Sequence, residues 1–243
     1  MMRNQVVQFM KQLSGMLHPS LFASVSNQNN AANIAFLRQL QRELKAEDVL
    51  QVPFSDLKVV VFDLETTGFY PQKGDRILSI GAVKVVGDQL KDSDVFYSLV
   101  NNINPLPDTI KELTGICEDD LEHAPELGTV LREFYQFTQT VPLIAHHATH
   151  EKNFMHHASW STLKMNFQHR VIDTSFLTKI VEPAKSLVSL DECCNHFGIQ
   201  ITKRHHALHD AIATAKLWTK SIQLIQEHGF HTLSDVYTHL ANR

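Results

Sequence analysis

Two acids, Asp63 and Glu65, stand two residues apart where the apolar run Val59-Val60-Val61-Phe62 gives way to Thr66-Thr67-Gly68. The β-branched run reads as a strand buried on both faces, and the Thr-Thr-Gly turn marks where it emerges. Alternate residues of a strand share a face, so the two carboxylates lie a few ångströms apart and repel. Burying a carboxylate is costly unless positive charge meets it, and a divalent cation is the natural compensation. The competing reading is a strand that has simply ended, with both acids in water.

Two further segments carry chemistry. His205-His206-Ala207-Leu208-His209-Asp210 leads into a run of helix formers, where Asp is a poor interior residue unless its side chain has a task. A first-turn acid favoured by the helix dipole is the structural alternative. His205, five residues earlier, falls on the loop leading in and can titrate near neutrality. Together they read as a metal-held carboxylate with a general base beside it. In the segment 143–155, Glu151 is the single acid between Glu133 and Asp173. An apolar strand ending at His146-His147, followed by a helix, would carry Glu151 to the same edge as Asp63 and Glu65.

The elements that must position these groups follow from periodicity. After the first strand, residues 76–86 are apolar and β-rich, Gly87-Asp88 is a hairpin turn, and 95–100 is a third strand. A short helix is expected over 108–113 and a strongly amphipathic one over 126–138. Short strands follow at 141–145 and 171–177, then helices over 187–197 and 207–227. Asp173 reads as a helix-capping acid. The expectation is an α/β domain over 56–226, a mixed sheet with helices on both faces. Residues 1–55 form an α-helical N-terminal extension: one helix stopped at His18-Pro19, a polar linker over 24–30, and a second helix over 31–46 capped by Asn30 with Ile34, Leu37, Leu40 and Leu44 as its stripe. Residues 227–243 are a short helical tail.

The net charge of −4 gives no general basic surface, so a nucleic acid would be held by a local patch or through metal ions. The three cysteines, two of them adjacent, suit neither a disulfide framework nor a zinc knuckle, and a cytoplasmic setting is expected. No apolar run reaches membrane-spanning length. The 15 histidines invite a zinc reading, but His150-Glu151 lacks the second histidine of a zincin helix.

The segments Phe62-Asp63-Leu64-Glu65-Thr66-Thr67-Gly68, His146-His147-Ala148 with Glu151, and His205-His206-Ala207-Leu208-His209-Asp210 resemble, in order and spacing, the three motifs of the DEDDh exonucleases. That family includes the proofreading epsilon subunit of bacterial DNA polymerase III, RNase T and oligoribonuclease. Asn104-Pro105, Leu113-Thr114-Gly115-Ile116 and Val171-Ile172-Asp173-Thr174 extend the resemblance. It implies an RNase H-like mixed five-stranded sheet and 3′-to-5′ hydrolysis of a DNA or RNA single strand, DNA favoured. It implies two divalent metal ions, Mg²⁺ or Mn²⁺, on Asp63, Glu65, Glu151 and Asp210, and His205 as general base. Leu64, Thr66, Thr67, Gly68, His146, His147 and Phe154 are then expected to hold the terminal nucleotide, with stacking on Phe69, Tyr70 or Phe154. The second motif departs from the family pattern, with Glu151 for Asp and His147 for Asn. Two other readings stay open: an exoribonuclease of short RNA, and a weakened nucleic-acid-binding module docking on a replication or repair protein through residues 1–50. The motifs do not decide the oligomeric state.

Overall fold

A computed structural model describes residues 32, 34–44 and 48–242. The chain divides into two compact units, 1–42 and 43–243. In the first, residues 34–42 are helical, with Leu37 and Leu40 buried and Ile34 exposed. The helix anticipated before His18, the linker 24–30 and the Asn30 cap lie outside the described residues.

The second unit is built on a five-stranded sheet. Its strands in chain order are β1 (Lys58–Thr66), β2 (Ile77–Val86), β3 (Gln89–Leu99), β4 (Leu143–Ala145) and β5 (Val171–Asp173), and the spatial order is β3-β2-β1-β4-β5. β1 is central, antiparallel to β2 and parallel to β4, and β4 runs parallel to β5. Between β3 and β4 come α1 (Asp108–Thr114), α2 (Glu118–Glu122) and α3 (Leu127–Thr138); α4 (Thr149–Ala158) links β4 to β5. After β5 follow α5 (Ser175–Val181), α6 (Leu190–Phe197), α7 (Ala207–Glu227) and α8 (Leu233–Ala241).

The β1 alternation assigns each side chain a layer. Val59 and Val61 join Val83, Val85, Ile144 and Ile172 in a core with Trp218, Ile222 and Ile225 of α7 and Leu233 and Val236 of α8. Phe62 points to the other face, 5.7 Å from the Phe134 ring of α3. Asp63 lies opposite Gly81 of β2 and continues the Val59–Val61 face, the face that α7 covers. The C-terminal segment is tied to the start of the unit: Phe54 N–H donates to the His231 carbonyl at 2.8 Å, and Pro53 bridges Thr232.

Two sequence expectations need correction. The run 171–177 is not one strand: it is extended only over Val171–Asp173, because Asp173 Oδ1 accepts the Ser175 N–H at 2.8 Å and opens α5. The third strand begins at Gln89 rather than Val95, since the tight turn at Gly87 (φ +61°) lets the hairpin zip from its first pair, Val86 opposite Gln89. Among the described residues no helix is long and apolar enough to cross a membrane.

Candidate active site

The carboxyl end of β1 presents Asp63 and Glu65, and the first turn of α7 presents Asp210. One oxygen from each of these three lies within 4.8 Å of the others. That closeness depends on Gly81. A Cβ added there would lie 2.1 Å from the Leu208 backbone nitrogen and 2.2 Å from the Ala207 carbonyl carbon. The missing side chain lets the start of α7 settle onto the sheet beside Asp63. Glu151, in the first turn of α4, is buried and stands outside that trio, but its charge weighs more on Asp63 than that of Glu65 or Asp210.

The electrostatics are those of like charges taken out of water. Burial first, then Glu151, Glu65 and Asp210, hold the Asp63 carboxyl well above its ordinary range. Glu65 is pushed up to about 7 by burial and by Asp210. Glu151 is raised by burial, with Asp173 and Glu65 adding to it, and Asp210 is raised by burial. Arg204 opposes the shift at Asp63, Glu65 and Asp210. Its Nε donates to both oxygens of Asp191, at 2.9 and 3.0 Å, and its Nη1 pairs with Asp210 Oδ2.

The donor set fits hard divalent ions. Asp210 Oδ1 in the trio, and Glu151 Oε2 outside it, are buried without a hydrogen-bond partner, so each leaves an oxygen free to ligate. All three donors of the trio are carboxylate oxygens, the ligand type of hard divalent cations. Among the described residues, the grouping able to hold an ion is this one, and it contains no histidine.

His205 precedes α7 in a left-handed conformation (φ +55°), and its N–H donates to Asp210 Oδ2 at 3.0 Å. Burial and the Arg204 charge hold its imidazole below the ordinary histidine range, so it stands as a free base near neutrality. His206 turns away and stacks on Tyr97, with centroids 4.6 Å apart.

The residues expected to hold a nucleotide fare unevenly. Thr66 Oγ1 donates to the Gly68 carbonyl at 2.8 Å and meets His150 Nε2 at 3.3 Å; Thr67 Oγ1 meets Asp75 at 3.3 Å. A Cβ at Gly68 would lie 2.5 Å from the Asp75 carboxyl, so any side chain there would displace the carboxylate that braces the turn. Leu64 is buried beneath them. His146 and His147 spend ring nitrogens on the protein itself: both meet the Val188 carbonyl, at 2.9 and 2.6 Å, and His146 Nδ1 meets Thr174 at 2.7 Å. They fasten the segment before α6 to the end of β4. Phe154 is 2% exposed and packs on His150, whereas Phe69 is 76% exposed and open to stacking. Sequence reasoning missed Arg204 and Asp191, which pair the turn before α7 with the first turn of α6, and Gly81, which a lone glycine inside a strand pattern signals.

The RNase_T family model, described as Exonuclease, matches residues 60–218. A DNA polymerase III subunit epsilon-like protein of Rhodobacter capsulatus is 35% identical over 190 residues, covering 77% of this chain and 27% of its own. A PolC-type DNA polymerase III of Bacillus subtilis is 36% identical over 171 residues, covering 70% of this chain and 12% of its own. The chain thus spans about a quarter and an eighth of these two relatives. Among solved structures, the nuclease domain of 3′hExo, a DEDDh family member bound to rAMP, superposes with a TM-score of 0.59 at 20% identity, covering 70% of this chain and 92% of that one. E. coli Exonuclease I with a dT13 oligonucleotide gives 0.60 at 12% identity, covering 72% and 43%. These likenesses speak to the fold, the RNase H-like mixed sheet anticipated from the sequence. The matched span runs from the strand that carries Asp63 and Glu65 to the helix that carries Asp210, and the chain belongs to the RNase_T exonuclease family.

Proposed function

We propose that the chain is a metal-dependent 3′-to-5′ exonuclease that releases nucleoside monophosphates from single-stranded or frayed 3′ ends. The observation that carries this is the set of three carboxylates within 4.8 Å, with His205 tied to one of them through its own backbone. Asp63, Glu65, Asp210 and Glu151 would hold two divalent ions of the Mg²⁺ or Mn²⁺ class. Such ions supply charge to the attacking and leaving oxygens of an in-line phosphoryl displacement.

The rest is done by the chain. The neutral His205 imidazole takes the proton of the attacking water at a ring nitrogen, and the Asp210 bond to its N–H fixes the loop that carries it. The Thr66-Thr67-Gly68 turn, braced by Asp75, receives the terminal nucleotide, and the exposed Phe69 ring offers a base a stacking face. DNA is favoured because relatives above 30% identity bear the name of DNA polymerase III. The same names support association with a replication or repair protein, for which residues 1–50 are the proposed contact.

A time course on 3′- and 5′-labelled single strands, DNA and RNA in parallel, with Mg²⁺ or Mn²⁺, tests the reading. Stepwise shortening from the 3′ end, faster on DNA and absent in Asp63→Asn, is the expected result. No cleavage with either metal would reduce the domain to a binding module, and faster loss of short RNA would make it an exoribonuclease.

A further inference from the structure

Past Thr67, where β1 gives way to the loop that returns as β2, a cavity of about 310 Å³ opens, lined by Thr67, Arg76, Asn102 and Asn104 and walled by Pro105 and Pro107. Arg76 is clamped beside Thr67 by two bonds: Thr67 N–H donates to the Arg76 carbonyl, and Arg76 N–H donates to Thr67 Oγ1, both at 2.9 Å. Its guanidinium is held by neutral oxygens. Nη1 donates to Asn102 Oδ1 at 3.4 Å, and with the Asn104 amide turned oxygen-first, Nη2 donates to it at 3.0 Å.

Asn102 is 4% exposed and pinned in turn, donating to the Asn104 carbonyl at 3.1 Å and accepting its N–H at 3.3 Å. Asp75, the acid on the same wall, spends its carboxylate on Tyr70 N–H at 2.8 Å and Thr67 Oγ1 at 3.3 Å. The result is an exposed guanidinium, fixed in direction by amides and forming no ion pair among the described residues, with further N–H donors to spend. Anchoring a cation on amides rather than on a carboxylate suits a site that must receive an anion. At strand rise, Thr67 stands roughly 7 Å beyond Glu65, on the order of one nucleotide step from the acid cluster.

We propose that this groove is a second phosphate site, which takes a backbone phosphate of the polynucleotide other than the one being cut. The phosphate can come from the cut strand or from a strand paired with it. The proposal rests on the exonuclease reading for its substrate, but its test does not depend on turnover.

The full chain, as Arg76→Gln and as the conservative Arg76→Lys in an Asp63→Asn background, is titrated with a labelled single strand and with a 5′-overhanging duplex across a range of salt. Arg76→Gln is expected to weaken binding about fivefold to tenfold and to flatten the slope of log affinity against log salt by about 0.7 on the single strand or about 0.9 on the duplex. Whichever ligand shows the change identifies the strand, and Arg76→Lys restores most of it. In the active protein, Arg76→Gln should lose at least fivefold more kcat/KM on whichever of these two polynucleotides shows the slope change than on the nitrophenyl ester of thymidine 5′-monophosphate, which carries one phosphate. An unchanged salt slope on both ligands, or equal losses on the two substrates, overturns the second site. A wild-type protein that cleaves neither substrate overturns the exonuclease reading instead, and the salt slopes still decide the groove.

Discussion

Raising the pH on metal-free protein sets the carboxylate cluster against the fold, and Glu65 gives the size of the effect. It is 7% exposed, and burial with the nearby Asp210 moves its carboxyl from 4.5 to about 7. Between those values the native protein keeps a proton that the unfolded chain has released, so stability falls as pH rises through the window. At about 1.4 kcal/mol for each pH unit, the loss from Glu65 alone reaches about 3 kcal/mol by pH 8. A domain of this size moves about 2–4 °C for each kcal/mol, which makes the drop about 6–12 °C in Tm. Asp63, Glu151 and Asp210 are raised too and add to the loss with the same sign. In Glu65→Gln the group cannot ionise. Thermal melts from pH 5 to pH 8 in chelator should therefore show the wild type falling more steeply than the variant, and Mn²⁺ should restore the wild type the more. Parallel curves would refute the reasoning: they would mean that Glu65 is already ionised in the fold, with Arg204 and Lys203 compensating its charge.

Gly81→Ala pushes a methyl against the Leu208 backbone 2.1 Å away; with no flexible side chain to yield, the start of α7 must lift. Denaturant midpoints should report a loss of about 3 kcal/mol, and turnover should fall with it because Asp210 moves. Arg204→Gln removes the cation shared by Asp191 and Asp210. Calorimetric titration should then show Mn²⁺ binding about tenfold tighter, since the ion no longer competes with a guanidinium for Asp210, while the metal-free protein melts lower at pH 8. His205→Ala should lower kcat about 10²- to 10⁴-fold with oligonucleotide affinity retained. In the wild type the acid limb of kcat/KM should lie below the ordinary histidine range, as the lowered His205 requires, and it should vanish in the variant.

What the sequence discloses here is what short-range chemistry can encode. Asp63 and Glu65 announce themselves as charges at the end of a four-residue apolar run, and Asp210 as an acid among helix formers; the structure brings all three together. The parallel and antiparallel halves of the sheet follow from a two-residue hairpin on one side and helix-length crossovers on the other. Illegible were features that depend on a third body. Arg204 meets Asp191 only because the turn before α7 folds back over the first turn of α6, and no periodicity records that. The run 171–177 carries a strand's composition throughout, and one Asp173 hydrogen bond ends the strand after three residues. His146 and His147 carry the polarity of substrate ligands, but the Val188 carbonyl from a distant loop claims them.

The departures from ordinary folding rules gather at one end of the sheet. His147 and His205 both take positive φ, Asp210 and Glu151 each bury an oxygen without a partner, and Asp63, Glu65, Asp210 and Glu151 crowd together with Arg204 opposing the shift at the first three. None of these stabilises the domain, and each carries a free-energy cost. The apolar core below offsets them: Val59 and Val61, on the same strand and the same face as Asp63, are fully enclosed by α7 and α8. The strand is therefore rigid where it begins and electrostatically unsettled where it ends. A strand fixed only by its polar end would turn its acids outward to water, whereas this one holds them inward and leaves the repulsion for a cation to relieve.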